Sequence, residues 1–154
     1  MTEKSHRWIW VSLGGASITF HIWLIFSGLV PSLVSRPLHM ALALPWVFVF
    51  ASHGIFQRRF GLFLTIVGSF FCGFIALNES ALSDQYGFIT GGWQVIVGVG
   101  LILLTLEMAR RTVSWPLPLI TLLFVLYGLF GSHIPGEFGH PGLPFNSFLG
   151  TLVI

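Results

Sequence analysis

Charge is what this sequence has least of. Only 8% of its 154 residues are Asp, Glu, Lys or Arg, against about 25% in an ordinary soluble domain, too little polar surface to keep the chain monomeric in water. Its single cysteine, Cys72, lies inside an apolar run, which excludes an internal disulfide and any CxxC redox pair. No internal repeat and no soluble domain are evident. A cleaved signal peptide is not expected, because the first apolar run is too long and no small-residue cleavage site ends it. The pI of about 9.2 would suit nucleic acid, but the net charge is only +2. Six of the seven basic residues flank apolar runs, where membrane orientation accounts for them, so no nucleic-acid partner is expected.

What the chain has is apolar length. It is 55% hydrophobic and 16% aromatic, with mean hydropathy +0.89. Five runs are long enough to cross a hydrocarbon core of about 30 Å, at roughly 1.5 Å per helical residue. They are Trp8 to Val30, Leu38 to Phe56, Phe60 to Leu77, Trp93 to Ala109 and Trp115 to Phe130. The expected fold is therefore all-α: one polytopic membrane-embedded helical bundle, residues 1–154, with an outer tail over 132–154. Lys4 and Arg7 precede the first run, Arg58 and Arg59 separate the second from the third, and Arg110 and Arg111 separate the fourth from the fifth. Basic residues beside spans stay in the cytoplasm. The pattern predicts a cytoplasmic N-terminus and a periplasmic tail, with Arg36 the one basic residue outside, alongside Glu79, Asp84 and Glu137.

Local features refine this outline. Pro31 closes the first run, and Ser32 to Pro37 reads as a loop carrying Arg36. Pro45 predicts a kink near Ala41 to Pro45, because proline removes a backbone donor and crowds the preceding turn. Gln57, Arg58 and Arg59 read as a very short inner turn. In the third run Ser69 with Gly73, Gly68 with Cys72, and Cys72 with Ala76 stand four apart, a spacing that lets another helix approach. Pro116 and Pro118 suit a helix start, with Ser114 the expected N-cap. Ser132 to Pro144 reads as a structured loop. Phe145 to Ile154 is apolar but half a span long, so it is interfacial, re-entrant or packed against a partner.

Few side chains in this outline offer chemistry. His21 lies near the middle of the first span, where an ionisable group is a functional hypothesis, although Ser17 one turn earlier can satisfy it. His39 and His53 lie towards the two ends of the second run. The three depths predict no facing pair of the kind a bis-histidine haem requires. His133 and His140, with Glu137 between them, form a weak metal candidate in the outer loop. Glu107, Arg110 and Arg111 are the densest charged cluster, and offsets of three and four put both arginines on the carboxylate's side of a helix. Transporters build midplane sites from broken helices and polar residues. These spans are nearly charge-free, which favours an accessory or scaffold subunit.

The motif order resembles a known family. Arg36-Pro-Leu-His39, opening an apolar helix, resembles the R-x-x-H start in the small membrane region of TAXI-type TRAP (tripartite ATP-independent periplasmic) transporters. Leu101-Ile-Leu-Leu-Thr-Leu-Glu107-Met-Ala-Arg110-Arg111 is similar to that family's helix ending in L-E-x-x-R-R. Trp115-Pro-Leu-Pro-Leu-Ile and Phe124-Val-Leu-Tyr127-Gly128-Leu-Phe-Gly131 follow. Ile134-Pro-Gly136 and His140-Pro-Gly142 then resemble its P-G and H-x-G loop. Two acidic positions frequent in the family, before the fourth span and near the start of the third, are absent here. The large transport domain that often continues the region is also absent, which suggests a separately encoded subunit.

The resemblance implies a non-enzymatic small permease subunit of a bacterial or archaeal inner membrane. It would brace a large membrane subunit during cation-coupled uptake of organic acids. A periplasmic TAXI-type binding protein would deliver substrate, and Glu79, Asp84 and Glu137 are candidates for docking it. No cofactor is expected in this chain, since sodium or proton coupling would belong to the large subunit. Membrane lipid is the other expected partner. The alternatives are an intramembrane histidine-based cofactor (haem or quinone) protein or enzyme, and a self-sufficient homo-oligomeric small transporter.

Overall fold

In the computed structural model, residues 3–52 and 54–153 are described, with side chains from Arg7 onward. All regular structure among them is helical: α1 (Glu3–Ser27), α2 (Ser32–Pro45), a π-helical turn (Trp46–Phe50), α3 (Ile55–Leu77), α4 (Glu79–Ser83), α5 (Gly92–Val113), α6 (Pro116–Phe130), a single 3₁₀ turn (Gly131–His133) and α7 (Phe145–Val153). Five helical stretches are long and apolar enough to cross a membrane: Arg7–Ser27, Ser32–Phe50, Ile55–Leu77, Gly92–Val113 and Pro116–His133. This is a multi-pass membrane protein. Neighbouring spans run antiparallel, because α1 meets α2 through Trp10 with Trp46 and His21 with His39. In the same way, α3 meets α5 through Phe71 against Gly100 and Gly68 against Leu104. One end of the bundle therefore carries residues 28–31, 78–91 and 131–144; the other carries 51–52, 54 and 114–115.

The helix ends differ from those the apolar runs suggest, and at α2, α3 and α5 a polar or proline-bearing segment is drawn into a helix. Residues 32–37 are the first turns of α2, not a loop, with Pro31 (φ −54°, ψ 145°) as N-cap and Pro37 buried. The arginine pair at 58–59 lies in α3, which begins at Ile55, not in a turn. Helix α5 continues to Val113, so Arg110 and Arg111 sit in its last turn, where a cation opposes the negative end of the helix dipole. That leaves two residues to reverse the chain. Ser114 takes φ 76° in this turn, and Trp115 rather than Ser114 stands at the N-cap of α6. The first helix stops at Ser27, short of Val30, and Gly28 turns the chain with φ 57°.

Pro45 distorts its helix after itself rather than before. The turn that follows is π-helical, with the Ala51 amide donating to the Trp46 carbonyl at 3.1 Å. The Ser52 hydroxyl donates to the Phe48 carbonyl at 2.6 Å, taking up an acceptor in this widened turn. The widened turn presses Phe48 backbone against Gly61, where any Cβ would collide with the Phe48 carbonyl oxygen. Leu44 and Phe48 are fully buried and pack with Leu104. A second cluster joins Cys72, Ile75, Leu82, Val97 and Leu101. The packed face of α3 is thus Gly61, Gly68, Cys72 and Ile75. Of the small-residue pairs in the sequence, Gly68 with Cys72 lies at a helix contact. Ser69 with Gly73 does not, since a Cβ on Gly73 would meet nothing.

The tail resolves into packing on its own chain. Helix α7 lays Leu149 against Gly98 of α5, and Gly150 against the Gly87 carbonyl so closely that no side chain fits. Gly98 is six residues into α5, about 9 Å along its axis, and Val153 reaches the Cys72 cluster. The half-length helix therefore packs along the first turns of α5 and against the Cys72 cluster.

Candidate functional site

The charged cluster at the end of α5 is a closed ion network. Arg110 grips the Glu107 carboxylate with two donors, Nε to Oε2 at 2.7 Å and Nη2 to Oε1 at 2.8 Å. Arg111 Nε donates to Oε1 at 2.7 Å. The helical offsets of three and four make this possible, and both carboxylate oxygens are occupied. The guanidinium groups are in turn stacked on aromatic rings: Arg110 lies 5.4 Å from the centroid of Trp115, and Arg111 lies 4.9 Å from that of buried Phe48. Arg111 therefore ties α5 to the π-helical turn after α2. Sequence spacing points to the ion pairs, but nothing in it points to Phe48 as their partner.

A second polar contact lies between α1 and α2. Gly28 and the residues beside it turn the chain so that His21, six residues before the end of α1, meets His39, seven after the start of α2. The depths expected from the apolar runs had put these histidines apart; the earlier end of α1 and the earlier start of α2 bring them level. His21 Nδ1 donates to the Ser17 carbonyl at 2.6 Å, leaving Nε2 as an acceptor from His39 Nδ1. The rings meet edge to face, centroids 4.6 Å apart. Direct nitrogen-to-nitrogen contact leaves no space for an iron between them. His39 Nε2 has no partner among the described residues, so a proton arriving there has a hydrogen-bonded route as far as Ser17. His53 lies outside the described residues.

The third assembly is a latch at the end of α6. Tyr127 Oη donates to the Phe138 carbonyl at 2.7 Å, while His140 Nε2 donates to the Tyr127 carbonyl at 3.0 Å. The Gly142 amide donates to His140 Nδ1 at 3.1 Å. The imidazole sits where a Cβ on Gly131 would stand, and Gly142 turns with φ 75°. Four residues of the motif order, Tyr127, Gly131, His140 and Gly142, thus come together, and they cap the last carbonyls of a helix. Both nitrogens of His140 are engaged, which removes it from metal binding with His133. No group of three or more metal-ligating side chains exists among the described residues.

The remaining candidates lie at the same end as this latch. Glu79 opens α4, Asp84 follows it, and Glu137 is exposed in the loop. None of the three makes an ion pair among the described residues, where the salt bridges are those of Glu107. Arg36 is exposed on α2, one turn before His39, and lines a cavity between α2, α3, α5, α6 and α7. Compared with known proteins, no family model, no curated protein and no solved structure matches this chain.

Proposed function

We propose that this chain is a scaffold subunit of a binding-protein-dependent uptake system, the small membrane subunit of a TRAP-type secondary transporter. The observation that carries this reading is Glu107. It is the one acidic residue within the five spans, and Arg110 and Arg111 occupy both of its oxygens. A cation-coupled carrier needs an open anionic or carbonyl site at mid-depth, exposed by interrupted helices. Here the one carboxylate is neutralised at a helix end. Coupling and substrate chemistry then belong to a larger membrane partner, and this bundle braces it. The N-terminus lies in the cytoplasm by the distribution of Lys4, Arg7, Arg58, Arg59, Arg110 and Arg111. The end carrying Glu79, Asp84 and Glu137 faces the periplasm of a bacterial or archaeal inner membrane and meets the binding protein.

Tagged chain purified from its native membrane in mild detergent is expected to bring down a much larger membrane protein in fixed stoichiometry. Recovery of the chain alone, together with uptake by liposomes containing only this chain, would overturn the scaffold reading. Charge reversal at Glu79, Asp84 and Glu137 is expected to weaken binding-protein affinity and uptake.

The contact between His21 and His39 favours a second reading, an intramembrane proton-handling protein. Under it, His21→Ala abolishes function and the purified chain moves protons across liposome membranes. Unaltered function after that substitution removes it.

A further inference from the structure

We infer that the cavity between α2, α3, α5, α6 and α7 holds one acyl chain of an anionic phospholipid, with the lipid phosphate on Arg36. The cavity has a volume of about 330 Å³, at the small end of ligand sites. Its walls are mainly apolar, with Met40, Val125, Thr105, Thr121 and Thr151 among them. The threonine hydroxyls are not free donors. Thr105 donates to the Leu101 carbonyl at 2.8 Å, Thr121 to that of Leu117 at 3.0 Å, and Thr151 to that of Ser147 at 2.9 Å. Arg36 is the only charged group lining the cavity. It has no ion-pair partner among the described residues, where all salt bridges belong to Glu107. An occupant that satisfies this site needs an apolar body and one negative head.

Depth selects the lipid. Arg36 is four residues into α2, about 6 Å along the helix, so its long side chain reaches the headgroup layer. Thr105 is thirteen residues into α5, which starts at the same end, so the cavity wall continues about 20 Å inward. A site that begins at phosphate depth and runs inward alongside the spans has the orientation of a lipid chain. An apolar helix from a partner would fill the walls but leave the guanidinium without a counter-charge. Fatty acids share the chemistry of chain plus anionic head. The bilayer, however, supplies anionic phospholipid already oriented at this depth. The inference does not depend on the scaffold reading.

The test uses the full chain in mild detergent, with bound lipid counted by native mass spectrometry. Phosphatidylglycerol, phosphatidylcholine of the same chain length and oleate are the competing probes. The expected result is one phosphatidylglycerol retained per chain, preferred about tenfold over phosphatidylcholine, whose choline cation offsets the phosphate charge presented to Arg36. Arg36→Gln is expected to erase that preference and Arg36→Lys to keep most of it. Val125→Trp is expected to expel both phospholipids by filling the wall. Equal retention of the two phospholipids by the unmodified chain, or full retention in Val125→Trp, would overturn the proposal. Binding of oleate without phosphatidylglycerol would overturn the phospholipid assignment in favour of a fatty-acid site.

Discussion

Helices α1 and α3 are both long, apolar and free of proline, yet they relate to the rest of the chain in opposite ways. In its most apolar window α3 buries 28% of its residues, and α1 buries none. The difference lies in shape. On α3, Gly61 admits the backbone of the π-helical turn, and Gly68 admits Leu44 and Leu104. On α1, a Cβ at Gly14 would make only ordinary contact with Trp46, and one at Gly15 would touch nothing. In a bilayer no hydrophobic force separates a lipid-facing helix from a packed one, so close approach decides which helices form a core. Helix α1 is held by aromatic edges, Trp10 on Trp46 and Phe50, and by the histidine pair. Most of its described side chains stay exposed.

The sharpest way to break this contrast is a side chain placed at the closest approach. Gly61→Leu drives a side chain into the Phe48 carbonyl and is expected to cost about 3 kcal/mol or prevent folding, as for severe overpacking. Gly15→Leu, the same change on α1, is expected to stay within about 0.5 kcal/mol. Thermal unfolding in detergent compares the two; equal losses would mean that α1 is packed as tightly as α3.

Next in size is the ion network, which belongs to the packed region. Glu107→Ala leaves two half-buried guanidinium groups without their carboxylate and is expected to cost about 2 kcal/mol, between an exposed and a fully buried pair. Glu107→Gln keeps the shape and a hydrogen-bond acceptor and is expected to lose about half as much. Indistinguishable stability of the two variants would show that charge contributes nothing there. Smaller still is the latch. His140→Ala removes the donor to Tyr127 and the acceptor from Gly142, an expected loss of about 1 kcal/mol. Hydrogen exchange should accelerate at the Gly142 amide while that of α3 is unchanged.

The spans themselves were legible in the sequence because length and apolarity are properties of single segments. Their ends were not. Polar residues such as Arg36 and Gln57–Arg59 lower the hydropathy of a run without disfavouring helix, so hydropathy alone starts α2 and α3 too late. The offsets within Glu107-x-x-Arg110-Arg111 made their pairing readable, since it lies within one helix. Contacts between helices were not readable in the same way. Gly61 carries no mark that separates it from Gly73, and only the π-helical turn opposite makes it critical. The meeting of His21 with His39 depended on where the turn between two helices falls, and a shift of a few residues at each end changed the answer.

The smallest predicted effect probes the weak side of the contrast directly. If α1 is attached by a few polar and aromatic contacts, the histidine pair should carry a measurable but small share of its docking. A double-mutant cycle of His21→Ala and His39→Ala is expected to give a coupling of about 0.6 kcal/mol, the average for polar pairs between membrane helices. The readout is the separation of α1 from α2, followed by energy transfer between probes placed on the two helices rather than by global unfolding. A lipid-facing helix that leaves early leaves the Phe48 and Cys72 clusters intact, so global melting should hardly respond to either single substitution. A coupling above about 2 kcal/mol, beyond the largest values typical of such pairs, would instead make the pair a principal anchor of α1. It would also favour a dedicated role for the two rings over a passive contact between neighbouring helices.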